Sequence, residues 1–213
     1  MKLYNYFRSS ASFRVRIAFE LKGLPYEYLP VHLVKGEHRQ EAYTAVSASQ
    51  LVPTLETDAG ELLSQSMAII EYLEETHPEP PLLPGDAFAR ARIRSLAQDI
   101  ACEIHPINNL RVLRYLVHEM KLSEDDKNRW YRHWVESGLE VVERRLAADA
   151  ATGTFCHGDT PTLADCVLVP QIHNAQRMDC GLDHVPTVMR VFAACMQHPA
   201  FATTQPSACP DAA

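Results

Sequence analysis

A proline-rich break divides this chain into two parts with different hydrophobic periods, and that change of period constrains the fold more than any other feature. Four prolines fall at positions 78, 80, 81 and 84, closed by Gly85. Before the break, short apolar runs alternate with one-sided helical spacing; after it, apolar residues recur only at helical intervals. The expectation is an α/β domain over residues 1–80 and an all-helical domain over residues 87–213.

Within the first part, residues 2–6 read as a strand, and Arg8-Ser9-Ser10-Ala11-Ser12 is the polar break before a helix. Phe13, Ile17 and Leu21 recur there every four residues, Arg14, Arg16, Glu20 and Lys22 take other faces, and Gly23 with Pro25 closes the segment. A second strand follows over 26–31. Strand, helix and strand within about 30 residues make a right-handed βαβ unit, whose two strands pair in parallel. After an irregular polar stretch over 32–50, Leu51-Val52-Pro53-Thr54-Leu55 reads as a strand carrying a proline. Since proline cannot donate to a ladder, this is an edge strand, a strand start or an outward turn. Thr57-Asp58-Ala59-Gly60 turns the chain into a fourth strand over 61–64, and Ser64-Gln65-Ser66 caps a helix that buries Ile69, Ile70 and Leu73. Beyond the break, candidate helices cover 87–119, 123–149, 162–175 and 186–197, with Pro106 bending the first.

Composition narrows the function classes. Apolar residues make up 46% of the chain and charged residues 22%, as in soluble globular proteins. The 20 Lys and Arg against 27 Asp and Glu, a formal charge of −7, argue against a nucleic-acid partner, which needs a basic face to displace counterions. No apolar run approaches the roughly 20 residues that span a bilayer, and Met1 to Arg8 lacks the core of a secretory signal. A cytoplasmic protein without membrane contact is expected. The cysteines at 102, 156, 166, 180, 195 and 209 have neither zinc-like spacing nor an oxidising context, so reduced thiols and no metal are expected. Phosphate-loop, dinucleotide and Gly-x-Ser-x-Gly signatures are absent, which sets phosphoryl transfer and triad hydrolysis aside.

Three segments of the first part carry suitable chemistry. Ser9 and Ser10 stand at a strand-to-helix turn, where unpaired N–H groups and the positive helix end can stabilise a thiolate or another anion; plain capping is the alternative. Gln65-Ser66 stands at a second helix start and could grip a carboxylate in the same way, or simply cap. Val52-Pro53, if cis, would turn the Val52 backbone outward as an edge for an extended peptide. In the second part, His105-Pro106-Ile107-Asn108-Asn109-Leu110-Arg111 is either turned toward a cleft by its proline or is a polar surface. Thr162-Leu163-Ala164-Asp165 reads as a structural capping box, and Trp130, Tyr131 and Trp134 as a helix core or dimer stripe.

Taken in order, Arg8-Ser9-Ser10-Ala11-Ser12-Phe13-Arg14-Val15-Arg16-Ile17-Ala18, Val52-Pro53, Gln65-Ser66 with Ala68-Ile69-Ile70-Glu71-Tyr72-Leu73, Asn108-Asn109 and Gly158-Asp159-Thr160-Pro161-Thr162-Leu163-Ala164-Asp165 resemble the zeta class of glutathione transferases. That class includes the maleylacetoacetate and maleylpyruvate isomerases, and the resemblance covers all but about the last ten residues. It implies a thioredoxin-like domain, a helical domain, a homodimer and bound glutathione. Carried over, Ser9 and Ser10, with Ala11, hold the sulfur; Val52 pairs with the cysteinyl unit ahead of a cis Pro53; and Gln65 and Ser66 take the γ-glutamyl end. His38 meets the glycyl end, while His105, Asn109 and Arg111 reach in from the helical domain. Arg8, Arg111 and Arg177 are the candidate partners for two substrate carboxylates, since arginine suits bidentate carboxylate binding. One departure stands out: the family often has cysteine where this chain has Ala11. The implied activity is glutathione-dependent cis-trans isomerisation of a small dicarboxylate. The competing readings are a general transferase or haloacid dehalogenase, and a binding protein that keeps the fold.

Overall fold

A mixed four-stranded sheet organises the first half of the chain in the computed structural model, which describes residues 1–212. Its strands are β1 (Lys2–Asn5), β2 (Glu27–Pro30), β3 (Thr54–Glu56) and β4 (Leu62–Ser64), in the spatial order β2-β1-β3-β4. β1 and β2 are parallel, joined through helix α1 (Ser10–Leu21); β1 with β3, and β3 with β4, are antiparallel. Of the three readings open for the proline-bearing segment, the strand start applies, because Thr54 is the first residue paired with Tyr4 and Ser64. The irregular stretch holds a 3₁₀ turn over Glu37–Arg39 and the short helix α2 (Glu41–Thr44), and α3 (Ser66–Thr76) follows β4.

α1 departs from the one-sided helix expected of it. Arg14 and Arg16 are 2% and 1% exposed, as enclosed as Phe13 and Ile17, because α1 packs against both α3 and the C-terminal helix α9 (Pro199–Ala202). By its internal contacts the chain divides into one unit made of residues 1–82 and 196–212 and a second made of residues 83–195, so the last stretch packs with the first unit. The cause is visible in the hydrogen bonds: Arg16 Nε donates to the Thr204 carbonyl at 3.1 Å, and the Phe7 N–H donates to Asp211 Oδ2 at 3.2 Å.

The proline-rich segment is tied down by one buried ammonium. Lys22 Nζ donates to Glu74 at 2.8 Å, to the His77 carbonyl at 2.7 Å and to the Pro80 carbonyl at 3.0 Å. The same Glu74 oxygen accepts the Leu82 N–H at 2.9 Å. The peptide bonds before Pro53 and Pro80 are cis.

The second unit contains α4 (Ala87–Gln98), α5 (Leu110–His118), α6 (Glu124–Ala148), α7 (Leu163–Arg177) and most of α8 (Pro186–Gln197). The single bent helix expected over 87–119 is in fact two helices. After α4 the backbone widens into a π-helical turn over Asp99–Ile104, tightens into a 3₁₀ turn over Pro106–Asn108, and restarts as α5. Pro106 has no N–H to give, and its ring excludes the carbonyl one turn back, so the α-helical ladder cannot pass through it. α6 lies close to this break at Gly138, where a Cβ would stand 2.4 Å from Ile104 Cγ1. The capping box at α7 is formed: the buried Asp165 carboxylate accepts the Thr162 N–H at 2.8 Å, the Thr162 hydroxyl at 2.7 Å and the Cys156 N–H at 2.9 Å. Burial pushes that carboxyl above its ordinary range, while the three donors pull it back. Among the described residues no helix is long and apolar enough to cross a membrane.

The Lys22–Glu74 pair has side chains 0% and 6% exposed, so removing one partner leaves a buried charge without its counterion. Lys22→Met should therefore cost about 3 kcal/mol, read as a fall in the urea midpoint, and Lys22→Met with Glu74→Leu should recover much of it. A single substitution that leaves the midpoint in place would contradict this.

Candidate active site

The register of the sheet brings the candidate segments of the first unit to one edge. Tyr4 lies opposite Thr54 and Thr54 opposite Ser64, while Asn5 lies beside Pro30. β1 therefore ends where β3 begins and where β2 and β4 end. The Ser9 turn, the Val52-Pro53 corner, the Gln65-Ser66 helix start and the loop leading to His38 all leave the sheet at that same end.

Each start is built locally. Ser9 is the N-cap of α1, with extended backbone and its Oγ accepting the Ser12 N–H at 3.2 Å. The hydroxyl proton is left to donate, and the first turn of a helix presents N–H groups and partial positive charge to whatever stands before it. Ser9 is half-buried, Ser10 is 3% exposed, and Ala11 occupies the position where the related motif often has a thiol. Cys209 is the one cysteine of this unit, and burial pushes its thiol up. The α1 start itself thus carries no thiol of the first unit.

α3 begins differently from the expected serine cap. Gln65 holds the N-cap position at φ 74° with no side-chain cap, a left-handed conformation that glutamine rarely adopts. Its side chain is exposed, while Ser66 is buried and its Oγ accepts from Arg14 Nη1 at 3.3 Å. Arg14 thus links α1 to the start of α3, a role that sequence periodicity missed. The available signal was an arginine pair, at 14 and 16, in an otherwise apolar helix.

Val52 and Pro53 are buried, two and one residues ahead of the ladder. Tyr43 holds this corner: its hydroxyl donates to the Leu51 carbonyl at 2.6 Å and lies 3.1 Å from Thr54 Oγ1. Burial also pushes the Tyr43 phenol up, keeping it protonated for that bond. His38 lies in the 3₁₀ turn and is 8% exposed. Arg8 is exposed, with its guanidinium carbon 4.9 Å from the centroid of the Phe7 ring.

On the second unit, the break at Pro106 sets the remaining candidates. His105 ends the π turn, and Asn109 closes on its own helix as the N-cap of α5. Asn109 Oδ1 accepts the N–H groups of Arg111 and Val112 at 3.1 and 3.2 Å, and Nδ2 donates to the Pro106 carbonyl at 2.8 Å. Arg111 is left exposed in the first turn of α5. Trp130 Nε1 donates to the Ile107 carbonyl at 3.1 Å, fixing the break against α6. Arg177 is exposed at the end of α7, and its charge acts on Tyr131 one residue further along α6, where burial pushes the phenol up to about 12 and the guanidinium opposes it. Among the described residues no group of three His, Cys, Asp or Glu could hold a metal ion.

Residues 3–81 match the family model of the glutathione S-transferase N-terminal domain, and residues 128–202 that of the C-terminal domain. The chain is 50% identical over 213 residues to a maleylpyruvate isomerase of Ralstonia sp, covering 100% of both sequences. A holo structure of a maleylpyruvate isomerase, a bacterial zeta-class glutathione S-transferase, is 49% identical with a TM-score of 0.97, covering 100% of both chains. A maleylacetoacetate isomerase from Methylobacterium extorquens AM1, crystallised with malonate and glutathione bound, is 37% identical, also with a TM-score of 0.97 and 100% coverage of both.

The cap geometry carries its own consequence. Ser9→Ala leaves the Ser12 N–H without its acceptor and should lower stability by about 1 kcal/mol, whereas Ser9→Asp should hold it. Equal denaturant midpoints for Ser9→Ala and the unaltered chain would show that the cap is not formed in solution.

Proposed function

This chain belongs to the glutathione S-transferase family, in its zeta class, and on that premise we propose that it is a glutathione-dependent cis-trans isomerase of maleylpyruvate or maleylacetoacetate. It would work in the catabolism of aromatic compounds, as a cytoplasmic homodimer that binds neither nucleic acid nor membranes. The observation that carries the reading is the convergence of two helix N-termini and the Val52 corner on one end of the sheet.

That arrangement suits glutathione by its donor chemistry. The α1 start, with Ser9 and Ser10 and the first-turn backbone at Ala11, would hold the sulfur. Val52 would offer its backbone to the cysteinyl unit, Gln65 and Ser66 would take the γ-glutamyl carboxylate, and the His38 turn would face the glycyl end. The α3 start attracts that carboxylate through its partial positive charge, with the Arg14 charge behind Ser66 adding to it. Held there by Ser9, Ser10, Val52, Gln65 and Ser66, glutathione would supply the thiol nucleophile for reversible addition to the cis double bond, the chemistry that cis-trans isomerisation needs.

The chain's own residues prepare that chemistry. A free thiol with pKa about 8.5 is mostly protonated at neutral pH, and each pKa unit of lowering corresponds to about 1.4 kcal/mol of thiolate stabilisation. Ser9 donates its hydroxyl proton toward the sulfur while its lone pair stays on the Ser12 N–H, so cap and thiolate support do not compete. Ala11 removes any rival thiol at this position. Arg8, carried on the Phe7 ring, Arg111 and Arg177 are the candidate partners of the two substrate carboxylates. His105 lies in the same broken segment as Arg111, and Asn109 acts through Arg111 by fixing its backbone.

Incubation of the purified protein with maleylpyruvate and with maleylacetoacetate, with and without glutathione, tests this directly. The trans isomer should form only with catalytic glutathione, which is recovered intact; release of a stable conjugate or a halide from other substrates, without isomerisation, would move the protein to the substituting transferases. Arg8→Ala should raise KM for the dicarboxylate about tenfold, the loss of one charge-assisted contact, with glutathione affinity nearly unchanged. Ser9→Ala should move the thiolate absorbance titration of bound glutathione to higher pH. A titration that stays in place would assign the sulfur to Ser10 or to backbone donors.

A further inference from the structure

Between β1 and α1 the chain turns through Tyr6–Ser9, and the peptide groups of Phe7 are gripped on both sides. The Phe7 carbonyl accepts from Arg16 Nη2 at 3.1 Å. The Phe7 N–H donates to Asp211 Oδ2 at 3.2 Å, across 204 residues of sequence. β1 has ended at Asn5, so no strand partner serves this N–H, and Phe7 is only 8% exposed. A buried donor needs a partner from somewhere, and the end of the chain provides it.

The tail that brings Asp211 is itself anchored. The Tyr28 hydroxyl donates to the other oxygen of Asp211, and the Thr204 carbonyl accepts from Arg16. Cys209 packs into one apolar cluster with Tyr6, Phe7, Val31, Tyr43 and Val52, with Ala212 against it. The turn so held carries two residues of the site: Ser9 caps α1, its N–H bonding the Tyr6 carbonyl at 2.9 Å, and Arg8 rests on the Phe7 ring at 4.9 Å.

We propose that Asp211 is a positioning residue, and the C-terminal segment a strap, that sets the Phe7-Arg8-Ser9 turn in the geometry the site requires. Asp211 touches neither cofactor nor substrate; it acts through the Phe7 backbone. A displaced Phe7 moves the perch of Arg8 and the approach to the Ser9 cap together. The inference rests on the proposed roles of Arg8 and Ser9.

Asp211→Ala, Asp211→Asn and Tyr28→Phe in the full-length chain test it, each with a thermal unfolding curve. Asp211→Ala should lower the thiolate fraction of bound glutathione at neutral pH by about threefold and raise KM for the dicarboxylate by about tenfold, the scale of one lost hydrogen bond to a charged group. Asp211→Asn keeps an acceptor oxygen and should recover most of both. Tyr28→Phe loosens the carboxylate while leaving its bond to Phe7, and should shift both readouts in the same direction by less. In the Arg8→Ala background, Asp211→Ala should change KM less than about twofold, since coupled residues are not additive. A lowered melting temperature with an unmoved titration and KM in Asp211→Ala, or effects that simply add to those of Arg8→Ala, would overturn the proposal and leave Asp211 a plain stabilising contact. The thiolate titration needs no isomerase substrate. Absence of isomerisation by the unaltered protein would therefore sink the proposed function, while the titration would still decide on the strap.

Discussion

A guanidinium that is 1% exposed has no water to bond, so Arg16 must find its acceptors inside the fold. It finds them in Asn5 Oδ1 and the carbonyls of Tyr6, Phe7 and Thr204, at 3.1 to 3.4 Å, with its charge 5.2 Å from the Phe13 ring centroid. Every one of these acceptors lies at the end of β1, in the turn after it or in the C-terminal segment. Satisfying one buried cation therefore fixes where β1 stops, how the chain enters α1, and that the tail returns to the first unit. The turn that carries Arg8 and Ser9 is a by-product of that requirement.

The same logic runs through the rest of the first unit. Lys22 gathers the proline-rich segment through Glu74 and two carbonyls, and Arg14 reaches the start of α3 through Ser66. Two cations of α1 and a third at its C-cap thus link the helix to its neighbours by hydrogen bonds. Such bonds are directional where apolar packing is not, which suits a unit that must hold two helix N-termini and a backbone corner at set positions. The acidic balance of the chain as a whole says nothing about these local cations, and a pocket for anionic ligands is compatible with a net charge of −7.

In the second unit the decisive constraint is the opposite one, a hydrogen bond that cannot be made. Pro106 ends one helical ladder, and Asn109 begins another by accepting two N–H groups of α5. The break lets His105 and Arg111 leave one short segment as polar groups. Asp165 performs the corresponding service at α7, where its three donors tie the Cys156 loop to the helix start.

By itself the sequence determined what depends on neighbours in the chain. The strand and helix order, the Ser9 start, the capping box at Thr162-Asp165 and the two hydrophobic periods all follow from local propensity and spacing, and the motif order pointed to the zeta class. Tertiary structure decided what depends on distant partners. Periodicity placed Arg14 and Arg16 off the apolar face, because a helix enclosed on several sides has no polar face for spacing to reveal. The positive φ of Gln65 was invisible, since glutamine has no local preference for that conformation. A proline predicts a disturbance in a helix but not whether the chain bends or breaks, and the close approach of Gly138 to Ile104 belongs to the broken form. The tail had no motif to mark it: Asp211 gains its meaning only from lying against Phe7 and Tyr28, contacts made across most of the chain, which no local reading of the residues contains.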